Sequence, residues 1–472
     1  MLADADSTLL DMLYRLDNAR RDLAPYDAYY EGEQPIRFIA PALQKEFGDR
    51  ICALVLNWPR MVADAFESRL DVMGFRYAGD SSADSDLWDV WQANNLDEQS
   101  QQGHLETVAL SRAYAITGAA DTAGDPPVVT MESPMQVFAR RDPRTRKVIR
   151  AVKRWDDYAL AADGLWIPEV QHAVLYEPGI RQSYVNVPKA GQTGWRTEGD
   201  PAVYDDAFMP VTPLINHPRI LRPDGRSEFV DIIGVADAAN KMSTDMMVSG
   251  EYHAMPRRWA AGIQEKDFVD EAGNPLNPWS RDAGTLWATE NAEAKFGQFN
   301  ESDLAVFHNT VRMLSQLVVQ LAGLPPYYAM APGSDANPAS AEAIEAAESR
   351  FVKNCERKQT YLGGAWEDVQ RNVLRLLTGR WDRRAWTLET IWRDASTPTR
   401  AQMADAALKL ATPIQGGRAI VPIEQAREDL GYTPEQRRRM AEMDAQAAAD
   451  PSLERLVSSL TTPPPAASGA SA

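Results

Sequence analysis

Residues 29–77 read YYEGEQPIRFIAPALQKEFGDRICALVLNWPRMVADAFESRLDVMGFRY, and the order of parts in this stretch decides the fold. A Tyr-Tyr-Glu-Gly turn leads into an apolar helix that is interrupted at Asn57-Trp58-Pro59. Proline cannot continue a helix interior but suits the first turn of a new one. A second amphipathic helix then runs to Arg69 and opens into a strand over 71–77. No catalytic motif lies in the stretch.

Upstream, residues 5–30 predict one helix with Leu9, Leu10, Leu13, Leu16 and Leu23 on a broad stripe. Downstream, GDSSADSD at 79–86 is a polar connection. Its Asp80, Asp84 and Asp86 lack the glycine and terminal glutamate of a calcium loop, so a loop or helix cap is the reading. The period over 87–118 is helical, with Trp88, Trp91, Leu96, Leu105, Val108, Leu110 and Tyr114 as expected core. Strand signals follow at 128–131 and 136–140, then a turn at Asp142-Pro143-Arg144 and a returning strand over 147–155. That hairpin holds Arg140, Arg141, Arg144, Arg146, Lys147, Arg150, Lys153 and Arg154, the only dense basic cluster in the chain. A nucleic-acid contact, a solvated hairpin edge and a contact with an acidic neighbouring subunit are all compatible with it. Further strands are expected at 165–176 and 183–187, before a Pro- and Gly-punctuated connection that ends near Pro223.

The middle of the chain is helical. Residues 228–252 predict one long helix with Phe229, Ile232, Val235, Ala239, Met242 and Met246 on a face. Residues 254–300, rich in Pro, Gly and Trp, suggest a small αβ insertion. A second helix over 303–322, capped by Ser302, carries Leu304, Phe307, Val311, Leu314, Val318 and Leu321 in a 3-4-3-4-3 repeat suited to packing along a neighbouring helix. GLPPYYAMAPGSDANPAS at 323–340 is too proline-rich for regular structure. A helix restarts at Asn337-Pro338 and continues through Ile344, Ala347, Phe351, Leu362, Trp366, Val369, Val373 and Leu377, with Gly363-Gly364 as a candidate kink. Residues 389–393 alternate like a returning strand. Thr397-Pro398, Val421-Pro422 and the capping box Thr433-Pro434-Glu435-Gln436 each start a helix, and TTPPPAASGASA ends the chain as a flexible tail.

With 472 residues the chain exceeds one ordinary core, and about three domains are expected. Its 44% hydrophobic and 25% charged residues are those of a folded globular protein. No apolar run reaches the ~18–20 residues of a membrane span, and the acidic start MLADADSTLLDML lacks a basic signal-peptide region. Cys52 and Cys355 alone make neither a disulfide framework nor a cysteine-rich metal site. The formal net charge of −18 and the pI near 4.9 disfavour tight DNA binding by the chain as a whole. They fit both an ordinary acidic surface and a wall along which a polyanion slides.

No catalytic machinery is visible, so the expectation is a protein that is not an enzyme, with no cofactor and no metal. There is no phosphate-binding loop and no Gly-Lys dipeptide, no G-x-S-x-G elbow and no H-E-x-x-H. His104, His172, His217, His253 and His308 share no ligand spacing, and no carboxylate pair stands out by position.

The opening stretch resembles the N-terminal signature of tailed-bacteriophage portal proteins, in the form met in phages of actinobacteria. Three later phrases resemble the same family in the expected order. ARRDPRTRKVIRAVKRW is similar to its wing hairpin. GLPPYYAMAPGSDANPASAEAIEAAESRFVK is similar to the loop and long helix after the second stem helix, and LETIWRDASTPTRAQMADAALKL to the approach to its C-terminal helices. The resemblance covers roughly residues 5–447.

The resemblance implies an α+β, mainly helical fold: an αβ wing, a two-helix stem, a small αβ clip and a helical crown. The wing would take 1–224 with a long kinked helix and return strand at 341–396, the stem 225–252 and 301–323, the clip 253–300, a tunnel loop 324–340, the crown 397–450 and a flexible tail 451–472. It further implies a closed homo-oligomeric ring, usually dodecameric, at one capsid vertex of the virion, assembled in the host cytoplasm. Its partners would be double-stranded DNA, the terminase large subunit, major capsid and scaffolding proteins and a head–tail adaptor, with no membrane. Twelve copies at −18 would carry roughly −216 (12 × −18). Asp231 and Asp245, 14 residues apart, fall within roughly 40° on an ideal helix and are candidates to face the channel. They could equally solvate the outer stem or pair with an arginine. Tyr327, Tyr328, Met330, Ser334, Asp335 and Asn337 are the loop candidates to narrow the bore, although both tyrosines could instead be packed beneath the wing. The alternative function is another phage head–tail adaptor or minor capsid protein without a DNA channel.

Overall fold

The computed structural model describes residues 2–35, 54–80, 83–120, 122, 124–160, 166–187, 194–204, 206–254, 258–261, 295–298, 304–329, 341–396, 398, 400–413 and 419–448. The fold is mixed α/β, with many helices and four antiparallel sheets among these residues. Two compact units divide the chain. The first joins 1–34, 57–232 and 321–472; the second joins 35–56 and 233–320.

Helix α1 (Leu2–Glu31) buries Leu9, Met12, Leu13, Leu16 and Leu23, each removal from water contributing about 1.5–3 kcal/mol. Leu10, expected on that stripe, is instead 56% exposed, because it lies about 100° around the helix from Leu9. Helix α2 (Trp58–Glu67) starts as anticipated at Asn57, whose side chain accepts from Arg60 N, with Pro59 in its first turn. Strand β1 (Val72–Tyr77) follows. The apolar segment expected upstream of Asn57 lies largely outside the described residues.

The expected helical run over 87–118 is three elements. Helix α3 (Ser85–Ala93), capped by Asp84, gives way at the left-handed Asn95 to helix α4 (Leu96–Leu110). Ser111, also left-handed, then turns the chain into strand β2 (Arg112–Gly118). Tyr114 is thus a core residue on a strand rather than on a helix. Strands β3 (Val128–Glu132), β4 (Val137–Arg141), β5 (Val148–Leu160), β6 (Trp166–Glu177), β7 (Ile180–Asn186), β8 (Arg196–Val203) and β9 (Val211–Ile215) form two sheets. One has the order β3-β2-β9, the other is the meander β4-β5-β6-β7-β8.

Alternation along the meander separates its two faces. Val152, Ala173, Leu175 and Tyr184 pack on Leu9, Met12, Leu13 and Leu16 of α1. Ala151, Val174 and Tyr176 join Tyr114, Ile116 and Val211 from the three-stranded sheet. The meander is therefore the middle layer between a helix and a second sheet.

In the second unit, helix α5 (Ile233–Ala254) and helix α6 (Ala305–Ala322) flank a described pair of short strands, β10 (Arg258–Ala261) and β11 (Lys295–Gln298). Back in the first unit, helix α7 (Ala341–Thr378) runs unbroken through Gly363-Gly364, the position expected to kink. Gly363 also allows a close approach. A Cβ there would lie 3.2 Å from Trp392 Nε1, and its carbonyl accepts from Thr390 Oγ1 at 3.1 Å, so the missing side chain lets a strand pass close to the helix. That strand, β12 (Leu388–Trp392), pairs antiparallel with β1, as its alternation anticipated. Helices α8 (Arg400–Ala411), α9 (Ile423–Asp429) and α10 (Pro434–Ala448) follow, the last with the expected reciprocal cap between Thr433 and Gln436.

Candidate functional site

The two long helices of the second unit carry most of the residues expected to matter. In α5 the buried side is small and polar: Ala236, Asp237, Ala239, Asn240, Ser243 and Thr244 are all nearly inaccessible. Asn240 Oδ1 accepts from Leu56 N at 2.7 Å, and Thr244 Oγ1 donates to Asn240 O at 2.8 Å, so the polar burial is hydrogen-bonded. Of the residues expected on one face, Phe229, Ile232 and Ala239 are buried, while Val235, Met242 and Met246 are only half-buried.

Helix α6 is apolar on two sides. Leu314 and Val318 of the 3-4-3-4-3 seam are buried, while Leu304, Phe307 and Val311 are half-buried and Leu321 is exposed. Val306, Met313 and Leu317 make a second stripe, 62%, 52% and 39% exposed, that continues to Leu321. At about 100° per residue these four lie within roughly 80° of one another. No carboxylate occurs anywhere in α6.

The acidic candidates are both paired. Asp231 lies on a 3-10 turn (Glu228–Asp231) that precedes α5, because the helix expected from Glu228 begins at Ile233. The spacing that placed Asp231 and Asp245 on one helical face therefore does not apply. Asp231 accepts from the Arg226 guanidinium at 2.5 Å, and Asp245 from Lys241 Nζ at 2.6 Å.

Tyr327 and Tyr328 stack on each other, centroids 5.2 Å apart, on a 3-10 turn (Pro326–Ala329). Tyr327 donates to Glu348 of α7, and Tyr328 packs 6.5 Å from the Phe351 ring. Burial, then the bond to Glu348, raise the Tyr327 phenol above its ordinary range. Arg69 closes the group by pairing with Glu348 at 3.5 Å and covering the Phe351 ring at 5.5 Å. Within this unit both tyrosines are thus packed. Met330, Ser334, Asp335 and Asn337 lie outside the described residues.

Sequence reasoning missed a buried charge cluster in the first unit. Lys358 of α7, 1% exposed, donates to Glu228 and, at 2.7 Å, to Asn216 Oδ1; His217 Nε2 lies 2.7 Å from the same carboxylate. Burial raises the pKa of Glu228, but the Lys358 ammonium and His217 outweigh it and hold the carboxyl well below its usual range. Gly225 (φ +79°) completes the loop, since a Cβ there would sit 2.4 Å from Asn216 O. The pairs span about 130 residues, and no local pattern announces them.

The basic hairpin divides in two. Arg150, Lys153 and Arg154 pair with Glu177, Glu132 and Asp17 at 2.5–2.7 Å, and Arg141 with Asp224 at 3.0 Å. Arg140, Arg144, Arg146 and Lys147 are exposed, with no acidic partner among the described residues. Among those residues there is also no cluster of His, Cys, Asp and Glu able to hold a metal ion, and no helix long and apolar enough to cross a membrane.

Residues 11–449 match the family described as phage portal protein, SPP1 Gp6-like. The portal protein of Mycobacterium phage L5 is 32% identical over 453 residues, 93% of this chain and 88% of that one. The portal protein of Mycobacterium phage D29 is 33% identical over 464 residues, 95% and 90% of the two chains. A chain from the virion of a native gene transfer agent particle aligns over 87% of this chain and 99% of its own, at 13% identity and a TM-score of 0.42, a likeness too loose to carry an assignment.

Proposed function

The chain belongs to the family of SPP1 Gp6-like phage portal proteins, and from that premise we propose that it assembles as a closed ring at one capsid vertex, through which the genome is packaged and ejected. The observation that carries the ring is the uncovered apolar stripe Val306, Met313, Leu317 and Leu321 on a helix whose adjoining side is already apolar. A helix with two apolar sides needs two neighbours, and a repeated heterologous contact between copies supplies the second.

In this reading α5 and α6 are the stem, residues 253–300 the clip, 1–224 with 341–396 the wing and 397–450 the crown. The separate compactness of 35–56 with 233–320 supports a stem-and-clip body distinct from the rest. The clip receives the ATP-hydrolysing terminase large subunit, the wing faces capsid and scaffolding proteins, and a head–tail adaptor attaches later. Subunits number about twelve, as in portal rings generally. Asp245 of α5 faces the tunnel, and its pairing with Lys241 leaves that position locally neutral, so it offers phosphate no net attraction. The tunnel loop 324–340 narrows the bore in this reading, with Met330, Ser334, Asp335 and Asn337 beyond the packed pair Tyr327 and Tyr328.

Electron micrographs of the purified full chain test the proposal. Rings with a central hole support it. Discs or clusters without a hole favour an adaptor or minor capsid role, and a dispersed monomer at high concentration refutes the ring.

A further inference from the structure

Two hairpin tips stand side by side on the first unit, one cationic and one aliphatic. The cationic tip is the β4–β5 turn. Asp142 accepts there from Arg144 N (2.9 Å), Thr145 N (2.6 Å) and Thr145 Oγ1 (3.1 Å), while its own N–H donates to Lys147 O at 2.8 Å. The acid at the tip is thereby committed to shaping the turn. Arg140, Arg144, Arg146 and Lys147 are left around it with no ion-pair partner among the described residues.

The aliphatic tip is the turn Arg219–Arg222, closed by reciprocal backbone hydrogen bonds of 2.9 and 3.1 Å. Its two central residues are Ile220 and Leu221, 85% and 87% exposed, the most exposed large apolar side chains among the described residues. Turn centres ordinarily favour Gly, Asn, Asp or Ser, and an isoleucine-leucine pair contributes nothing to turn geometry. Pro218 and Pro223 flank the turn and limit its conformational freedom, and Arg219 and Arg222 are exposed without acidic partners. Arg141 ties the two tips together by donating to Pro223 O and to Asp224 Oδ1 (3.0 Å), with Arg112 holding Asp224 O at 3.4 Å.

We propose that the two tips form one docking surface for an acidic patch on a second copy of this chain. Without the six unpaired cations the chain would hold 43 Lys and Arg (49 − 6) against 67 Asp and Glu, a balance of −24, so another copy is a countercharge-rich partner. The aliphatic pair decides between macromolecules. Phosphates would engage the cations but gain nothing from Ile220 and Leu221, whereas a protein surface can cover both. The contact is heterologous, tips on one copy and carboxylates on the next. It rests on the ring reading above and adds to it an interface outside the two long helices.

The test uses the full chain in two variants. Arg144→Glu with Lys147→Glu reverses charge at residues whose side chains hold no part of the turn. Ile220→Asn with Leu221→Ser removes the aliphatic pair at an exposed turn and adds no glycine, so little change in stability is expected. Association is followed by sedimentation at low and high salt, alongside imaging, thermal unfolding and retention of double-stranded DNA. The charge variant is expected to associate at least about tenfold more weakly at low salt, with the gap narrowing at high salt. The turn variant is expected to associate more weakly at every salt concentration without a lower melting temperature. Variants that assemble like the unaltered chain overturn the proposal, as does normal assembly with lost DNA retention, which would make the surface a nucleic-acid contact. If the unaltered chain associates through these tips yet never forms rings, the ring reading fails and the docking surface stands.

Discussion

Trp366 Nε1 donates a 2.9 Å hydrogen bond to His104 Nε2, and both side chains are fully buried. The Trp366 ring also stands edge-on to His104, centroids 5.9 Å apart, and 4.9 Å from Trp91. The bond requires an unprotonated Nε2, and burial pushes the imidazole down to about 3 from an ordinary 6.5. Unfolded, the ring takes up a proton near pH 6.5; folded, it does so only near 3. The contribution is therefore complete above pH 6.5 and lost as pH falls, at about 1.4 kcal/mol per unit. His104→Gln keeps an acceptor for Trp366 and removes the titration. Its tryptophan-monitored urea midpoint should fall less steeply between pH 6.5 and 4.5 than that of the unaltered protein, and equal slopes would rule His104 out as the source.

Lys358 and Glu228 should be worth little as a pair and much as individuals. Lys358→Ala leaves a buried carboxylate facing only His217 and Asn216, and a loss of about 3–5 kcal/mol is expected. Lys358→Met with Glu228→Leu removes both charges and should recover most of that loss. A double-mutant cycle by chemical denaturation checks this, and a strictly additive double variant would contradict it.

Cys355 is buried, and burial pushes its thiol up to about 12. In a Cys52→Ser background it should stay unlabelled by aromatic disulfide reagents at pH 8 and react fully in guanidinium. Rapid labelling of the folded chain would show that α7 opens locally.

The exposed stripe of α6 should govern assembly without supporting the fold of the single chain. Met313→Asp with Leu317→Asp is expected to abolish rings while leaving the melting temperature of the monomer within about 2–4 °C of its starting value. Val318→Asp, at a position 1% exposed, should instead destabilise the chain itself. Imaging and thermal unfolding, run together, separate the two outcomes.

What the sequence revealed follows the reach of its signals. The long helices could be read because their apolar period repeats over several turns, as at Leu314 and Val318, and the returning strand because Leu388–Trp392 alternates. Strand β9 went unrecognised because Pro210 and Pro213 look like punctuation. Pro213 is tolerated opposite Tyr114 because β9 is an edge strand. Strand β8, RTEGDPAV, is exposed along its whole length and has no apolar alternation to detect. The helix expected from Glu228 begins as a Ser227-capped 3-10 turn before α5, a change of backbone winding that an apolar period does not register. The packing of Tyr327 on Glu348 and the Arg141–Asp224 link are tertiary facts without a local signature.

The pairing of β1 with β12 has a consequence for biosynthesis. Strand 72–77 leaves the ribosome about 300 residues before 388–392, an interval of roughly 15–60 s at ~5–20 residues per second. Throughout it, Val72, Met73 and Phe75 form an unmated apolar edge of the sort that recruits stray strands. A nascent chain that stops before Leu388 thus leaves β1 without its β12 partner, an unpaired strand of the kind that chaperones cover.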